Sequence, residues 1–393
     1  MITNKVYDKE MSLLGFGTMR LPVREDGSID EETVFEMVRY AGEHGVNYYD
    51  TAYPYHHGNS EIVIGKALKQ FPRESYCLAT KYPGHQIASK YDPAAVFEDQ
   101  LKKCDVEYFD YYLLHNVYEN SIQTYTDPKW GIIDYFVRQK ELGRIKHLGF
   151  SCHGSTSMLR EFLDEYGDRM EFCQIQLNYL DWTLQDAKGK YKLLTERNIP
   201  VWVMEPVRGG KLAAFDKEYE NKLKELRPDD SIASWAFRWL QDLPNVKMIL
   251  SGMSNMEQMM DNIHTFESKK PLRANEEEIL MQLAETMKDS LPCTGCRYCC
   301  DGCPKGINIP KMIGYYNEMK FAPSFNVGMA MDAIDEEHKP SACVKCGKCK
   351  RVCPQNIDIP NALEELSGMV AQLPSWADVC RERERAAKRK NKQ

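Results

Sequence analysis

The chain has 393 residues, 43% of them apolar, with 51 Lys plus Arg against 58 Asp plus Glu. That length exceeds one small module and can fill a large core, and the mildly acidic balance excludes phosphate-backbone binding except through a local patch, so no nucleic-acid partner is expected. Charges scatter through the first twenty residues and no apolar run approaches membrane-spanning length, which predicts neither signal peptide nor membrane partner and a cytoplasmic location.

From residue 11 to about 265, short apolar runs alternate with amphipathic stretches. MSLLGFG, VNYYD, YCLATK, FDYYLLH, KHLGFS, EFCQIQ, PVWVME and VKMIL are the predicted strands. Between them EETVFEMVRYAGEHG, DPAAVFEDQLKKCD and WGIIDYFVRQKELGR place apolar residues three and four apart, as helices do. Eight such units predict an α/β fold, a (β/α)8 TIM barrel over residues 1–270. An open dinucleotide-binding sheet would carry a Gly-rich first turn, and no GxGxxG occurs. Residues 271–290 read as a linker and a helix, LRANEEEILMQLAETM, and residues 373–393 as a basic, polar, solvated tail.

Ten of the fourteen cysteines follow residue 292, which marks 291–372 as a second domain. In a reducing compartment such closely spaced thiols are metal ligands rather than disulfides. Cys293, Cys296, Cys299 and Cys303 precede Pro304, and Cys343, Cys346, Cys349 and Cys353 precede Pro354, so C-x2-C-x2-C-x3-C-P occurs twice. This is the spacing of two-cluster ferredoxins, in which the fourth cysteine of each run ligates the other cluster. The expected sets are therefore Cys293, Cys296, Cys299 and Cys353 around one [4Fe-4S] cluster, and Cys343, Cys346, Cys349 and Cys303 around the other. Two zinc sites are the alternative, disfavoured because zinc ribbons use paired C-x2-C knuckles. Cys300 is expected to point away. INIPKMIGYYNEMKF reads as a helix after Pro310, which favours a mainly α-helical ferredoxin-like module.

The polar residues closing the barrel strands form a chemical set, because a barrel carries its chemistry at the C-terminal ends of its strands. Asp50 closes VNYYD, Tyr55 follows in DTAYPY, Lys81 closes YCLATK, and His115 closes FDYYLLH. Carbonyl reduction needs a proton at oxygen as hydride reaches carbon, and a free tyrosine is a poor donor. A lysine cation lowers the phenol's pKa, an aspartate orients the lysine, and a histidine polarises the carbonyl.

DTAYPYHHGNSE, LATK, YYLLH, GRIKHLGFS and MEPVRGG together resemble the aldo-keto reductase superfamily, in the branch with a C-terminal iron-sulfur domain. The resemblance implies catalysis by Asp50, Tyr55, Lys81 and His115, with Tyr55 as proton donor and an NAD(P) cofactor bound without a Rossmann domain. It also implies that Ser151 and Gln174 hydrogen-bond the nicotinamide carboxamide, and that Gly252, Ser254, Gln258 and Asn262 line the phosphate and adenosine region. Arg208, Gly209 and Gly210 are candidates for a loop over the pyrophosphate, although the glycines could serve only as a turn. Three features depart from the pattern. Cys152 stands where an Asn is expected, Met204 where many members stack an aromatic ring, and Ser251 to Asn262 holds no Lys or Arg for a 2′-phosphate. NADP, NAD or no nicotinamide thus stay open.

Clusters carry single electrons and a nicotinamide donates a hydride, so an FMN or other flavin, held by loop amides, is one hypothesis for the converter. The leading reading is an oxidoreductase acting on a small-molecule carbonyl or alcohol, its clusters exchanging electrons with a ferredoxin-like partner. The alternatives are a redox-sensing or nucleotide-binding barrel with little turnover, and an ordinary reductase with structural clusters. His56 and His57 read as a polar loop. The aromatic segments with Tyr118, Tyr125, Trp130, Tyr179 and Trp182 fit a pocket rim or core equally.

Overall fold

The residues that read as continuous apolar runs are those buried on both faces of a parallel sheet closed on itself. A computed structural model describes residues 1–373 apart from 87–89, 120, 185, 216, 288–289, 322–324 and 333, so the expected basic tail lies almost wholly outside the described residues. In chain order the strands are β1 (Thr3–Val6), β2 (Lys9–Ser12), β3 (Leu14–Gly17), β4 (Tyr48–Asp50), β5 (Cys77–Tyr82), β6 (Phe109–Val117), β7 (Ile145–Cys152), β8 (Phe172–Gln176), β9 (Val201–Met204) and β10 (Val246–Ser251). β3 to β10 form a closed barrel of eight strands in sequence order, β10 pairing in parallel with β3 to complete it. Every residue of β5, β6 and β8 is buried.

One expectation needs correction: MSLLGFG is two strands. Met11 and Ser12 belong to β2, which pairs antiparallel with β1, and only Leu14 onward enters the barrel. Ser12 marks the break, its hydroxyl donating to the Leu14 carbonyl at 2.7 Å and its N–H to the Asn47 side chain at 2.8 Å. The hairpin has a use. Val6 and Met11 join Tyr48, Tyr111, Phe172 and Trp202 in one buried cluster inside the barrel. Those rings meet at centroid distances from 4.7 to 5.6 Å (Phe172–Trp202, Tyr48–Tyr111 and Tyr111–Trp202). The barrel is packed rather than hollow, which leaves the strand C-termini for chemistry.

Side-chain caps start several outer helices: Asp30 accepts from Thr33 N–H, Asp92 from Ala95, Ser155 from Met158 and Ser231 from Ser234. The chain divides into two compact units, Met1–Glu285 and Thr286–Gln393. The helix Ala274–Thr286 is tied to the first, because its buried Glu276 takes hydrogen bonds from Arg227 at 2.8 Å and Arg273 at 2.6 Å.

The second unit is helical, with no strand among its described residues. Its longer helices, Ile309–Phe321 and Ile359–Ala371, each follow a Cys-Pro and begin at the second isoleucine of an Ile-x-Ile-Pro run, and they pack against each other. Ile307, Ile309, Ile357 and Ile359 are all buried in its core. No helix among the described residues is long and apolar enough to cross a membrane.

Candidate active site and cysteine-lined cavities

Asp50 ends β4 opposite Ala79 of the neighbouring β5, and Lys81 stands two residues further along β5; both side chains are buried. Lys81 Nζ donates to Asp50 Oδ1 and, at 2.7 Å, to the Thr51 carbonyl. Burial pushes the Asp50 carboxyl up and the Lys81 ammonium down, and their mutual attraction opposes both shifts. Tyr55 sits on the loop after β4, where His56 and His57 take left-handed backbone conformations (φ 49° and 56°). Its half-buried ring lies with the centroid 5.1 Å from Lys81 Nζ. The ring of His115 meets it edge-on at 5.9 Å. The β6–β7 register shifts between Leu114 and Val117, with Asn116 at φ 56°, and such an irregularity re-aims the side chains beside it. All four tetrad candidates are thereby brought together.

Burial, reinforced by His85, Lys81 and His153, holds His115 well below its ordinary value, so a neutral imidazole faces the site at pH 7. His85 and His153 were not singled out from the sequence. His85 follows β5 and packs edge-on to His115 at 4.4 Å. Its loop is close because Gly84 leaves no room for a Cβ, which would lie 2.6 Å from the Tyr125 ring. Burial lowers His85 to about 4, and burial with Lys190 nearby lowers His153 to about 3. The only sequence signal was position, since both stand just beyond strand ends.

The expected cofactor residues fall into two groups. On adjacent strands Ser151 pairs with Gln174, and Gln176 with Met204. Ser151 Oγ accepts from Asn116 N–H at 2.8 Å. Gln174 Oε1 and Asn116 Oδ1 are buried acceptors without a partner among the described residues. Two orphaned amide oxygens near one serine fit a ligand that brings an amide N–H2, as a nicotinamide carboxamide does. Cys152, in the place of the expected Asn, is buried with its thiol pushed up by burial to about 11. Met204 is half-buried at the end of β9.

In the second group Arg208 is fully buried, its Nε 3.1 Å from both Asp181 oxygens, while Nη1 and Nη2 lack partners among the described residues. Donors left in that state suit an anion. Gly209 and Gly210 form an exposed turn at φ 65° and 93°. Gly252 is exposed, and a Cβ there would lie 3.4 Å from the Arg20 side chain. Ser254 Oγ donates to the Arg20 carbonyl at 2.9 Å, and its N–H to Gln258 Oε1 at 2.8 Å. Asn262 lies behind, buried and donating to Ser251 Oγ at 3.0 Å. Sequence reading missed Arg20. Its side chain, three residues past the end of β3, stands beside Ser251–Asn262 and pairs with Glu205 at 3.2 Å. Of the aromatic candidates, Tyr125 and Tyr179 are core residues, and Tyr118, Trp130 and Trp182 are half-buried.

The second unit holds two cysteine-lined cavities. One is lined by Cys293, Cys296, Cys299 and Cys353, the other by Cys303, Cys343, Cys346 and Cys349. Each wall thus borrows its fourth cysteine from the other run, and Cys300 lines neither. Among the described residues no three potential ligands converge on a point suited to a single metal ion. Donors spread around a cavity fit a cuboidal cluster, whereas zinc needs four thiolates at about 2.3 Å from one point.

Comparison with known proteins divides the chain in the same two parts. A family model described as "Aldo/keto reductase family" matches residues 13–284, and a "4Fe-4S dicluster domain" model matches 292–357. A probable aldo-keto reductase of Glycine max is 33% identical over 153 residues, which span 36% of this chain and 42% of that one. The NADH-specific methylglyoxal reductase of Escherichia coli (strain K12) is 24% identical over 65% of this chain and 90% of its own. The holo form of an aldo-keto reductase from Bacillus halodurans superposes with a TM-score of 0.59 at 26% identity, covering 72% of this chain and 96% of the other. With the eight-stranded barrel and its rim residues already in place, the matched span makes this chain a member of the aldo/keto reductase family, an oxidoreductase barrel joined to a 4Fe-4S dicluster domain.

Proposed function

We propose that the barrel reduces a small-molecule carbonyl, or oxidises the corresponding alcohol, with Tyr55 as proton donor. The observation that carries this reading is the convergence of the buried Asp50–Lys81 pair, Tyr55 and His115 at one end of the barrel. NAD(P)H, when bound, supplies the hydride. The Tyr55 hydroxyl delivers the proton to the carbonyl oxygen, and the Lys81 ammonium stabilises the phenolate left behind. Asp50 keeps Lys81 charged and oriented. Neutral His115 donates a hydrogen bond to the same oxygen and so favours charge developing there. Asn116, Ser151 and Gln174 would hold the carboxamide, Met204 would pack on the ring, and Arg208, Gly209, Gly252, Ser254 and Gln258 would hold the phosphates and adenosine, with Asn262 bracing β10.

The two cysteine sets would each hold a [4Fe-4S] cluster, which supplies one-electron capacity when bound. A ferredoxin-like protein is the natural partner for such a unit. A flavin finds no support in the family match or the relatives.

Anaerobic purification followed by NADH and NADPH oxidation assays on a panel of aldehydes and ketones tests the reading. Carbonyl-dependent turnover with about eight irons per chain is expected. Tight nucleotide binding without turnover on any carbonyl would instead assign a nucleotide-binding role.

A further inference from the structure

The rims of the two cysteine cavities differ in charge. Between Cys293 and Cys303 the chain carries one cation, Arg297, and one acid, Asp301. Between Cys343 and Cys353 it carries Lys345, Lys348, Lys350 and Arg351 and no acid. All four of these cations are exposed, and so is Cys346 itself, whereas no cysteine of the first cavity is. Lys305, from the end of the first run, lines the same cavity as Lys348. Lys345 and Lys350 are partly neutralised by Glu364 and Asp358, each at 2.7 Å. Lys305, Lys348 and Arg351 have no ion-pair partner among the described residues. Amid these charges Val344 is 56% exposed, an apolar contact point.

We infer that this basic rim is the docking surface for a small acidic protein that carries its own one-electron redox group. The inference rests on the reading that the cysteine sets hold electron-carrying clusters. The chain as a whole has a net charge of −7, so the local surplus is not a background property. Transient redox complexes bury little area and depend on complementary charge for encounter and orientation. An exposed cluster cysteine at the centre of the patch lets a partner's redox group come close. A nucleic acid fits less well: the patch is confined to one short helix, its flanks and Lys305, without the long basic stripe that tracks a phosphate backbone.

The test is anaerobic calorimetry on the full chain with its clusters assembled, titrated separately with an acidic plant-type [2Fe-2S] ferredoxin, a basic c-type cytochrome and a DNA duplex. The ferredoxin should bind and the other two should not, and its affinity should fall about tenfold between about 50 and about 300 mM salt. The pair K348E/R351E, and K305E on a separate segment, should each weaken ferredoxin binding about tenfold or more, with cluster absorption spectra preserved. Glutamine versions serve where charge reversal disturbs the clusters. Ferredoxin binding indifferent to salt and to these variants, or equal binding of cytochrome or DNA, overturns the docking surface and leaves the clusters standing. A wild-type protein that never assembles clusters overturns both.

Discussion

The two units fill their interiors in opposite ways. In the barrel, the rings of Tyr48, Tyr111, Phe172 and Trp202 and the hairpin residues Val6 and Met11 close the core with protein alone, and the chemistry is confined to the rim. In the C-terminal unit the buried isoleucines and Leu363 and Leu366 share a small core with Cys299, Cys349 and Cys353 around the two cavities. The barrel is therefore a scaffold that stands without its ligand, whereas in the smaller unit the inorganic groups stand in for missing core.

The most severe way to break that contrast is to strip the iron. Oxygen and a chelator should unfold the unit from Thr286 onward and expose it to protease, while Met1–Glu285 persists as a resistant fragment with its circular dichroism intact. Uniform resistance of both units would contradict it. At the rim, Lys81→Met should lower kcat/KM by roughly 10²- to 10⁴-fold without changing the melting behaviour of the C-terminal unit. A smaller effect is expected from Gln174→Ala, which removes one orphaned acceptor and should weaken nucleotide binding about tenfold, read by fluorescence titration.

The mildest effect is a pH dependence of barrel stability. The folded values of His85 and His153 (about 4 and about 3) lie below the ordinary 6.5, so the unfolded chain binds more protons in between. Their contribution is complete above 6.5 and is lost as pH falls through that window, at up to about 1.4 kcal/mol per pH unit for each group. Denaturant titrations at successive pH values should show His153→Asn with a shallower acid decline than the parent. Equal slopes would mean that His153 is protonated in the folded protein.

Much of this was legible in the sequence for physical reasons. Strands buried on both faces read as unbroken apolar runs, and the two Cys-Pro motifs announced the exchange of Cys303 and Cys353 between cavities. What escaped were features set by tertiary contact. The boundary between β2 and β3 depends on Ser12 bonding its neighbours, which an apolar run conceals. Arg20 reaches Gly252 and Ser254 because β3 closes the barrel against β10, a neighbour more than two hundred residues away. The grouping of His85 with His115 depends on how closely Gly84 approaches Tyr125, a distance no periodicity encodes.

The proton-donor assignment is tested most directly by measuring NAD(P)H affinity and single-turnover carbonyl reduction on one anaerobic preparation of Tyr55→Phe. The account predicts a reduction rate lower by roughly 10²-fold or more, with the nucleotide dissociation constant within about twofold of the parent. Reduction at the parental rate would contradict it.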